Sequence, residues 1–161
     1  MKYNRFEDLP VWKDAIELAI RIFAIAEKQC FRGRPGLRSQ LENATVSISN
    51  KVAEGFERGT TPELLTFLYI ARGSSGEVRS MLCLLERARG FEDLRSEISD
   101  LKSRALSISR QLRGWADSLQ NSYIRGQRYL TQKTRRATKE SQEREEFLEE
   151  LRRIREGHPQ K

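Results

Sequence analysis

The 161-residue sequence predicts an all-α protein, an up-down-up-down four-helix bundle with a basic C-terminal extension. Apolar residues recur at steps of three and four in four successive segments, as in amphipathic helices. The connections between these segments are of about two to eight residues, which is typical of antiparallel neighbours. No run of alternating Val, Ile, Thr and aromatic residues indicates a strand. We expect the bundle over residues 1–120 and a charged extension, partly helical or disordered, over residues 121–161.

The first helix is expected to begin near Pro10, a residue suited to a first helical turn. Trp12, Ala19 and Phe23 widen its apolar stripe, and Trp12 is assigned a structural role. A Gly/Pro cluster at residues 31–36 ends the helix. The stripe itself consists of Val11, Ala15, Leu18, Ile22 and Ala26.

The second helix is expected to run from near Leu37 to Arg58. Gly59 is predicted to close it in the left-handed conformation. Thr61, followed by Pro62, is predicted to be the N-cap of the third helix. The apolar face of the second helix contains Leu37, Leu41, Ala44, Ile48, Val52 and Phe56.

The third helix is expected over residues 62–89, and it passes through a Gly-Ser-Ser-Gly run at residues 73–76. Each Gly costs ~1 kcal/mol relative to Ala in a helix. Small residues allow two helices to cross closely. Ala71, Ser74, Ser75 and Val78 face roughly the same way, so the small run is predicted to mark a tight crossing, with Gly55 opposite. Gly73 and Ser74 are therefore assigned structural roles. The alternative is a local weakness that a strong bundle tolerates.

The fourth helix has apolar residues at alternating steps of four and three, the 3.5-residue repeat of helices packed side by side. Glu92 and Asp93 precede them and suit a helix N-terminus. The repeat consists of Leu94, Ile98, Leu101, Ala105, Ile108, Leu112, Trp115 and Leu119.

Charge is unevenly distributed along the chain. The net charge is +7, of which residues 1–120 carry +3 and residues 121–161 carry +4. Residues 121–139 contain six Lys or Arg and no acid, interleaved with Tyr123 and Tyr129. This pattern favours RNA, whose bases stack on aromatic rings while its phosphates pair with cations. The alternative is a basic tail with no defined ligand.

The candidate nucleic-acid-binding residues are cations on the second, third and fourth helices and in the extension. Arg72 and Arg79 are seven residues apart and therefore lie on one helical face. Arginine suits phosphate because its planar guanidinium offers paired donors, although any one of these residues could instead belong to a solvated face. The set is Lys51, Arg58, Arg72, Arg79, Arg87, Arg104, Arg113, Arg125, Arg128, Lys133, Arg135 and Arg136.

Glu54 is the one acid on an otherwise apolar stretch of the second helix. A buried carboxylate needs a cation, because an unpaired buried charge is strongly destabilising. Glu54 is therefore predicted to be structural and to pair with Arg58 or Arg72, within one subunit or between subunits. The alternative is a solvated helix acid.

The sequence does not predict an enzyme. Its one histidine, His158, lies in the polar tail, and no nucleophile–base constellation, phosphate-binding Gly-rich loop or metal-ligand spacing is present. We therefore expect no catalytic residue, metal or cofactor. Two cysteines, the absence of an apolar signal segment and the absence of a ~20-residue apolar run predict a cytoplasmic protein without a membrane partner.

Residues 53–56 (AEGF), 67–74 (FLYIARGS) and 6–15 (FEDLPVWKDA) carry a family resemblance. The chain resembles the small bacterial four-helix bundle proteins of 23S rRNA intervening sequences. It departs from them at Lys51, where the family often has Asn, and at Ser49, where it often has Pro. The same fold includes the accessory variability determinant of diversity-generating retroelements.

The resemblance implies a homopentameric ring that binds RNA or an RNA/DNA hybrid and a reverse transcriptase. On this basis we expect a non-enzymatic scaffold that holds a reverse transcriptase on its template RNA. Two alternatives remain open. One is a scaffold or adaptor with protein partners only, and the other is a protein encoded within a ribosomal RNA gene with a different role.

Overall fold

The computed structural model describes residues 3–121 and 143–153, and the predicted all-α class is confirmed in them. Four long helices occupy the first range: α1 (Pro10–Ala26), α2 (Pro35–Glu57), α3 (Thr61–Arg87) and α4 (Arg95–Gln120). A further helix, α5, covers residues 143–153, so the described chain contains more than the four predicted helices. The chain divides into two compact units, Met1–Arg128 and Tyr129–Lys161.

The first unit is a closed arrangement of helices around one core. α1 packs against α2 and α4, and α3 packs against the same two helices. α1 and α3 therefore occupy opposite corners. α3 and α4 are antiparallel, because residue numbers rise along α3 while those of the bonded partners fall along α4. The pairs are Tyr69 with Gln120, Ser75 with Ala105, and Glu86 with Lys102.

The predicted apolar stripes form this core. Most of their residues are buried, and Trp12, Leu37, Trp115 and Leu119 lie half-buried at its edge. Phe23 is an exception, since 41% of it is exposed. The prediction that Phe23 widens the core stripe is therefore wrong. The core-facing side of α1 is instead filled by Ile22, Ile25 and Ala26.

The turn between α2 and α3 agrees with the sequence at Gly59 and differs by one residue at the cap. Gly59 has φ = +78°, the left-handed conformation predicted for it. The N-cap is Thr60 rather than Thr61: its Oγ1 accepts from the Glu63 backbone N–H at 3.4 Å and donates to the Glu63 carboxylate at 2.5 Å. Glu63 favours Thr60 because it is three residues further on, the spacing of a capping box.

The glycines of the Gly-Ser-Ser-Gly run make no close contact with another helix, whereas its serines do. A Cβ on Gly73 or Gly76 would have no other heavy atom within 4 Å. The contacts are made instead by Ser75, whose Oγ donates to the Ala105 carbonyl at 2.7 Å, and by Ser74, whose Oγ lies 2.9 Å from that of Ser47.

Gly55 does lie at a close approach, but not opposite residues 73–76. A Cβ on Gly55 would stand 2.6 Å from Phe67 Cβ and 3.3 Å from Leu64 Cδ1. α2 and α3 are joined by a short turn and run antiparallel, so the last turns of α2 face the first turns of α3. A residue without a side chain is thus required at position 55, where the end of α2 approaches the start of α3.

Within residues 3–121 and 143–153, no helix combines the length and the apolar character that crossing a bilayer requires.

Candidate nucleic-acid interface

The seam between α3 and α4 is built on bonds at three levels. Gln120 Nε2 donates to the Tyr69 hydroxyl at 2.8 Å, near the start of α3 and the end of α4. Ser75, fully buried, donates to the α4 backbone at its middle. At the other end, Lys102 Nζ lies 2.6 Å from the Glu86 carboxylate and lowers the pKa of that carboxyl through this hydrogen bond.

Two candidate arginines of α3 border this seam. Arg72 and Arg79 lie one turn before and one turn after Ser75, and residues three or four apart share a helical face. Arg72 is half-buried and Arg79 is exposed. Neither guanidinium forms an ion pair with a carboxylate in the described part of the chain. Both charges are therefore available to an external anion.

Arg113 borders the same seam from α4. It follows Ala105 by eight residues and precedes Gln120 by seven, which places it in the row that faces α3. The antiparallel register brings Arg72, between Tyr69 and Ser75, close to the level of Arg113. Arg113 contacts Asp117 at 3.5 Å, but both side chains are more than half exposed, and such helix pairs contribute little. The seam thus presents guanidinium groups from both helices at one level.

Lys51 and Arg58 do not join this group. Lys51 Nζ and Arg58 Nη2 each donate to the Glu54 carboxylate at 2.9 Å, and Arg58 also lies 3.9 Å from Glu63. The two cations lie 5.5 Å and 5.2 Å from the centre of the Phe67 ring, within the range of a cation–π contact. Both cations therefore interact with residues of α2 and α3 rather than standing free beside the seam.

The predicted pairing of Glu54 with Arg58 is confirmed, and Lys51 is a second partner that was not predicted. The predicted burial is wrong, since the Glu54 side chain is 36% exposed, and Arg72 is not its partner. The hydrogen bond from Lys51, followed by that from Arg58, lowers the pKa of the Glu54 carboxyl. The same carboxylate raises the pKa of Arg58.

Arg104 and Arg87 lie apart from the seam arginines. Arg104 Nε donates to Asp100 at 3.3 Å, and Asp100 also pairs with Arg21 of α1, so Arg104 belongs to the α1–α4 side. Hydrogen bonds from Arg21 first, and from Arg104, lower the pKa of Asp100. Arg87 is exposed at the last residue of α3, beyond the Glu86–Lys102 pair.

The remaining predicted residues divide into two groups. Trp12 is half-buried and packs edge-on against Phe6, with ring centroids 5.4 Å apart, which is a structural contact. The cations of the extension lie outside the described residues: Arg125, Arg128, Lys133, Arg135 and Arg136.

Sequence reasoning missed Arg34, which it placed only in a loop. The Arg34 guanidinium lies 4.9 Å from the centre of the Phe91 ring and donates to the backbone carbonyls of Cys30 and Arg89, at 3.0 and 3.3 Å. It ties the α1–α2 loop to the α3–α4 loop. No local pattern distinguishes it from Arg32, since its partners lie up to 57 residues away.

No group of three or more His, Cys, Asp or Glu that could hold a metal ion occurs in residues 3–121 or 143–153. An apolar hollow of about 190 Å³ lies near the start of α1, and its walls carry no acid, histidine or cation. They are formed by Tyr3, Leu9, Pro10, Val11, Gln111 and Trp115.

The fold and the seam define a class: a small all-helical protein with a cationic edge between its last two long helices. The family model described as 23S rRNA-intervening sequence protein matches residues 7–114, and the chain belongs to this family. The resemblance read from the sequence is thus confirmed. The matched range contains α1 to α3 and most of α4, so it includes the seam. No curated protein was found to match the chain.

Proposed function

We propose that this protein is a non-enzymatic, oligomeric scaffold that binds RNA through the seam between α3 and α4. The observation that carries the proposal is the pair of guanidinium groups, Arg72 and Arg113, at one level of the seam. Arg72 has no carboxylate partner in the described part of the chain, and the partner of Arg113 is exposed. A phosphate at this level of the seam can accept from guanidinium groups of both helices.

The charge of the whole chain supports the same ligand. The net charge of +7 attracts a polyanion over a range set by the salt concentration. The basic segment at residues 121–139, with its tyrosines, adds cations and stacking surfaces of the kind that single-stranded RNA binds. In a ring of five copies the charge would reach about +35, which would increase affinity and salt dependence.

Family membership supports the finer part of the proposal. The same fold serves as a homopentameric accessory of a reverse transcriptase in diversity-generating retroelements, and we propose that role for this chain. Binding of a reverse transcriptase that persists after nuclease treatment would support it, and so would a reverse-transcriptase gene and a template repeat beside its gene. A position inside a ribosomal RNA gene would argue for another role.

The test of RNA binding is the salt dependence of the dissociation constant for a fluorescein-labelled single-stranded RNA, measured by fluorescence anisotropy between 50 and 200 mM KCl (roughly the range over which phosphate contacts are lost). The variant is R72Q/R113Q. The matched control is R32Q/R38Q, which removes the same charge at exposed positions away from the seam. Each lost contact to single-stranded nucleic acid lowers the log–log slope by ~0.7.

We therefore expect the slope to fall by ~1.4 in R72Q/R113Q and by less in the control. An equal loss in both variants would show that binding follows net charge and not the seam. Absence of RNA binding by the wild type at the lowest salt would refute the proposal.

One observation favours a second candidate, a scaffold with protein partners only. Ile70 and Leu84 on α3 are 43% and 57% exposed, which is typical of a protein-binding surface. This candidate predicts a partner that co-purifies after nuclease treatment while the protein shows no affinity for RNA.

A further inference from the structure

Two helices of the first unit expose large apolar side chains on their outward faces. On α1 these are Ile20 (57% exposed) and Phe23 (41%), and on α3 they are Tyr69 (42%), Ile70 and Leu84. Of the four helices in residues 3–121, α2 and α4 expose none. The apolar surface is therefore confined to two helices rather than scattered.

These two faces point in opposite directions. α1 and α3 each pack against both α2 and α4, so they lie at opposite corners of the unit. One subunit cannot bring its own two faces together. The α1 face of one copy can instead cover the α3 face of a second copy. Each of these two copies then has one face still open, which a further copy can cover.

The two faces differ in shape in a complementary way. The exposed row of α3 contains Ile70, Gly73, Glu77, Ser80 and Leu84 at alternating steps of three and four, the spacing of a seam between packed helices. At Gly73, one turn after Ile70, an added Cβ would meet nothing, so the row of α3 lacks a side chain there. The exposed row of α1 carries the large side chains of Ile20 and Phe23 in the C-terminal half of the helix.

The charges at the edges of the two faces are also complementary. Glu17 and Glu27 lie on the exposed side of α1 and form no ion pair within residues 3–121. Arg87, at the C-terminal end of the row of α3, likewise pairs with no described carboxylate at salt-bridge distance. Opposite charges at a rim steer association and fix its orientation.

We propose that the outward face of α1 in one copy docks on the outward face of α3 in the next copy. This contact is heterologous, so repetition of it closes into a ring or extends into a filament. The inference rests on the proposed oligomeric scaffold and names its interface. α4 takes no part in the contact, which leaves the Arg113 side of the seam accessible.

The experiment measures the mass of the full chain in solution by sedimentation velocity. One variant, I20D/F23D, blocks the α1 face, and another, I70D/L84D, blocks the α3 face. The control, N50D/S107D, adds the same charge at exposed positions on α2 and α4. Circular dichroism verifies that each variant is folded, since all the changed side chains are at least 41% exposed or lie on polar exposed faces.

We expect the wild type and the control to be oligomers and each blocked variant to be a monomer. Mixed one to one, the blocked variants should form a dimer with one copy of each, because together they retain one intact α1 face and one intact α3 face. A mixture that stays monomeric, or a blocked variant that dimerises by itself, would overturn the proposed contact while leaving the scaffold standing. A monomeric wild type would overturn both, whatever its affinity for RNA.

Discussion

Gly55 offers the sharpest test of the packing, because the structure sets both the sign and the size of its effect. In G55A the new Cβ would lie 2.6 Å from Phe67 Cβ, whereas ordinary contacts are 3.4–4 Å. Both atoms are attached directly to helix backbones, so α2 and α3 must move apart. Overpacking of this kind costs ~1–3 kcal/mol, while replacing Gly by Ala within a helix returns ~1 kcal/mol. We expect G55A to lower the free energy of unfolding by up to ~2 kcal/mol.

Gly73 provides the matched control. It also lies within a helix, but an added Cβ would meet no other atom within 4 Å. In the monomeric protein, G73A should therefore raise the free energy of unfolding by up to ~1 kcal/mol. Urea unfolding followed by circular dichroism measures both values. Equal stabilities of G55A and G73A would refute the close approach of α2 and α3 at Gly55.

Two further predictions concern the seam and the Glu54 cluster. S75L places a large side chain where the Ser75 hydroxyl now donates to the Ala105 carbonyl at 2.7 Å. Thermal unfolding should show that overpacking lowers the free energy of unfolding by ~1–3 kcal/mol. The control S107L, at an exposed site on α4, should change the free energy of unfolding by less than ~0.5 kcal/mol. The lowered pKa of Glu54 means that its carboxylate stabilises the fold above the unfolded-state pKa and loses this effect as the pH falls through the folded-state pKa. The stability difference between wild type and E54Q should thus be largest near neutral pH and shrink below about pH 5. The control is E57Q, at an exposed acid that has no ion pair with another described residue, and its stability should differ little from that of the wild type. A difference for E54Q that grows on acidification would contradict the ion pairs.

The helices could be predicted from sequence because each core-facing stripe is long and strictly periodic. Where the periodicity is ambiguous, prediction failed. Phe23 lies one position from Ile22 and was placed with the core, yet the structure turns it outward, since hydrophobicity alone does not distinguish a core residue from one on an exposed apolar face. The cap at Thr60 was missed because two adjacent threonines precede Pro62, and only the reach of Glu63 decides between them.

The contacts between helices could be predicted less well, since they depend on register. The sequence shows that Gly55 and the Gly-Ser-Ser-Gly run are unusual in helices, but not which residues face each other. The length of the α2–α3 turn, known only once both helix ends are fixed, places Gly55 against Phe67. In the same way, residue type identifies the candidate cations. Whether a cation is already paired with a carboxylate depends on which acids, such as Glu54 and Asp100, the fold places beside it.

Arg34 has a mechanical consequence for the first unit. The α1–α2 and α3–α4 hairpins are joined covalently only at the α2–α3 turn, and Arg34 fastens them at the opposite end through the Cys30 and Arg89 carbonyls and the Phe91 ring. The two hairpins are thus joined by the chain itself at the α2–α3 turn and by the contacts of Arg34 at the other end. The Lys28–Glu97 and Arg21–Asp100 pairs also join the two hairpins through α1 and α4 near that end. Loss of the Arg34 contacts would therefore loosen the packing around the buried rings of Phe31 and Phe91 without separating the hairpins.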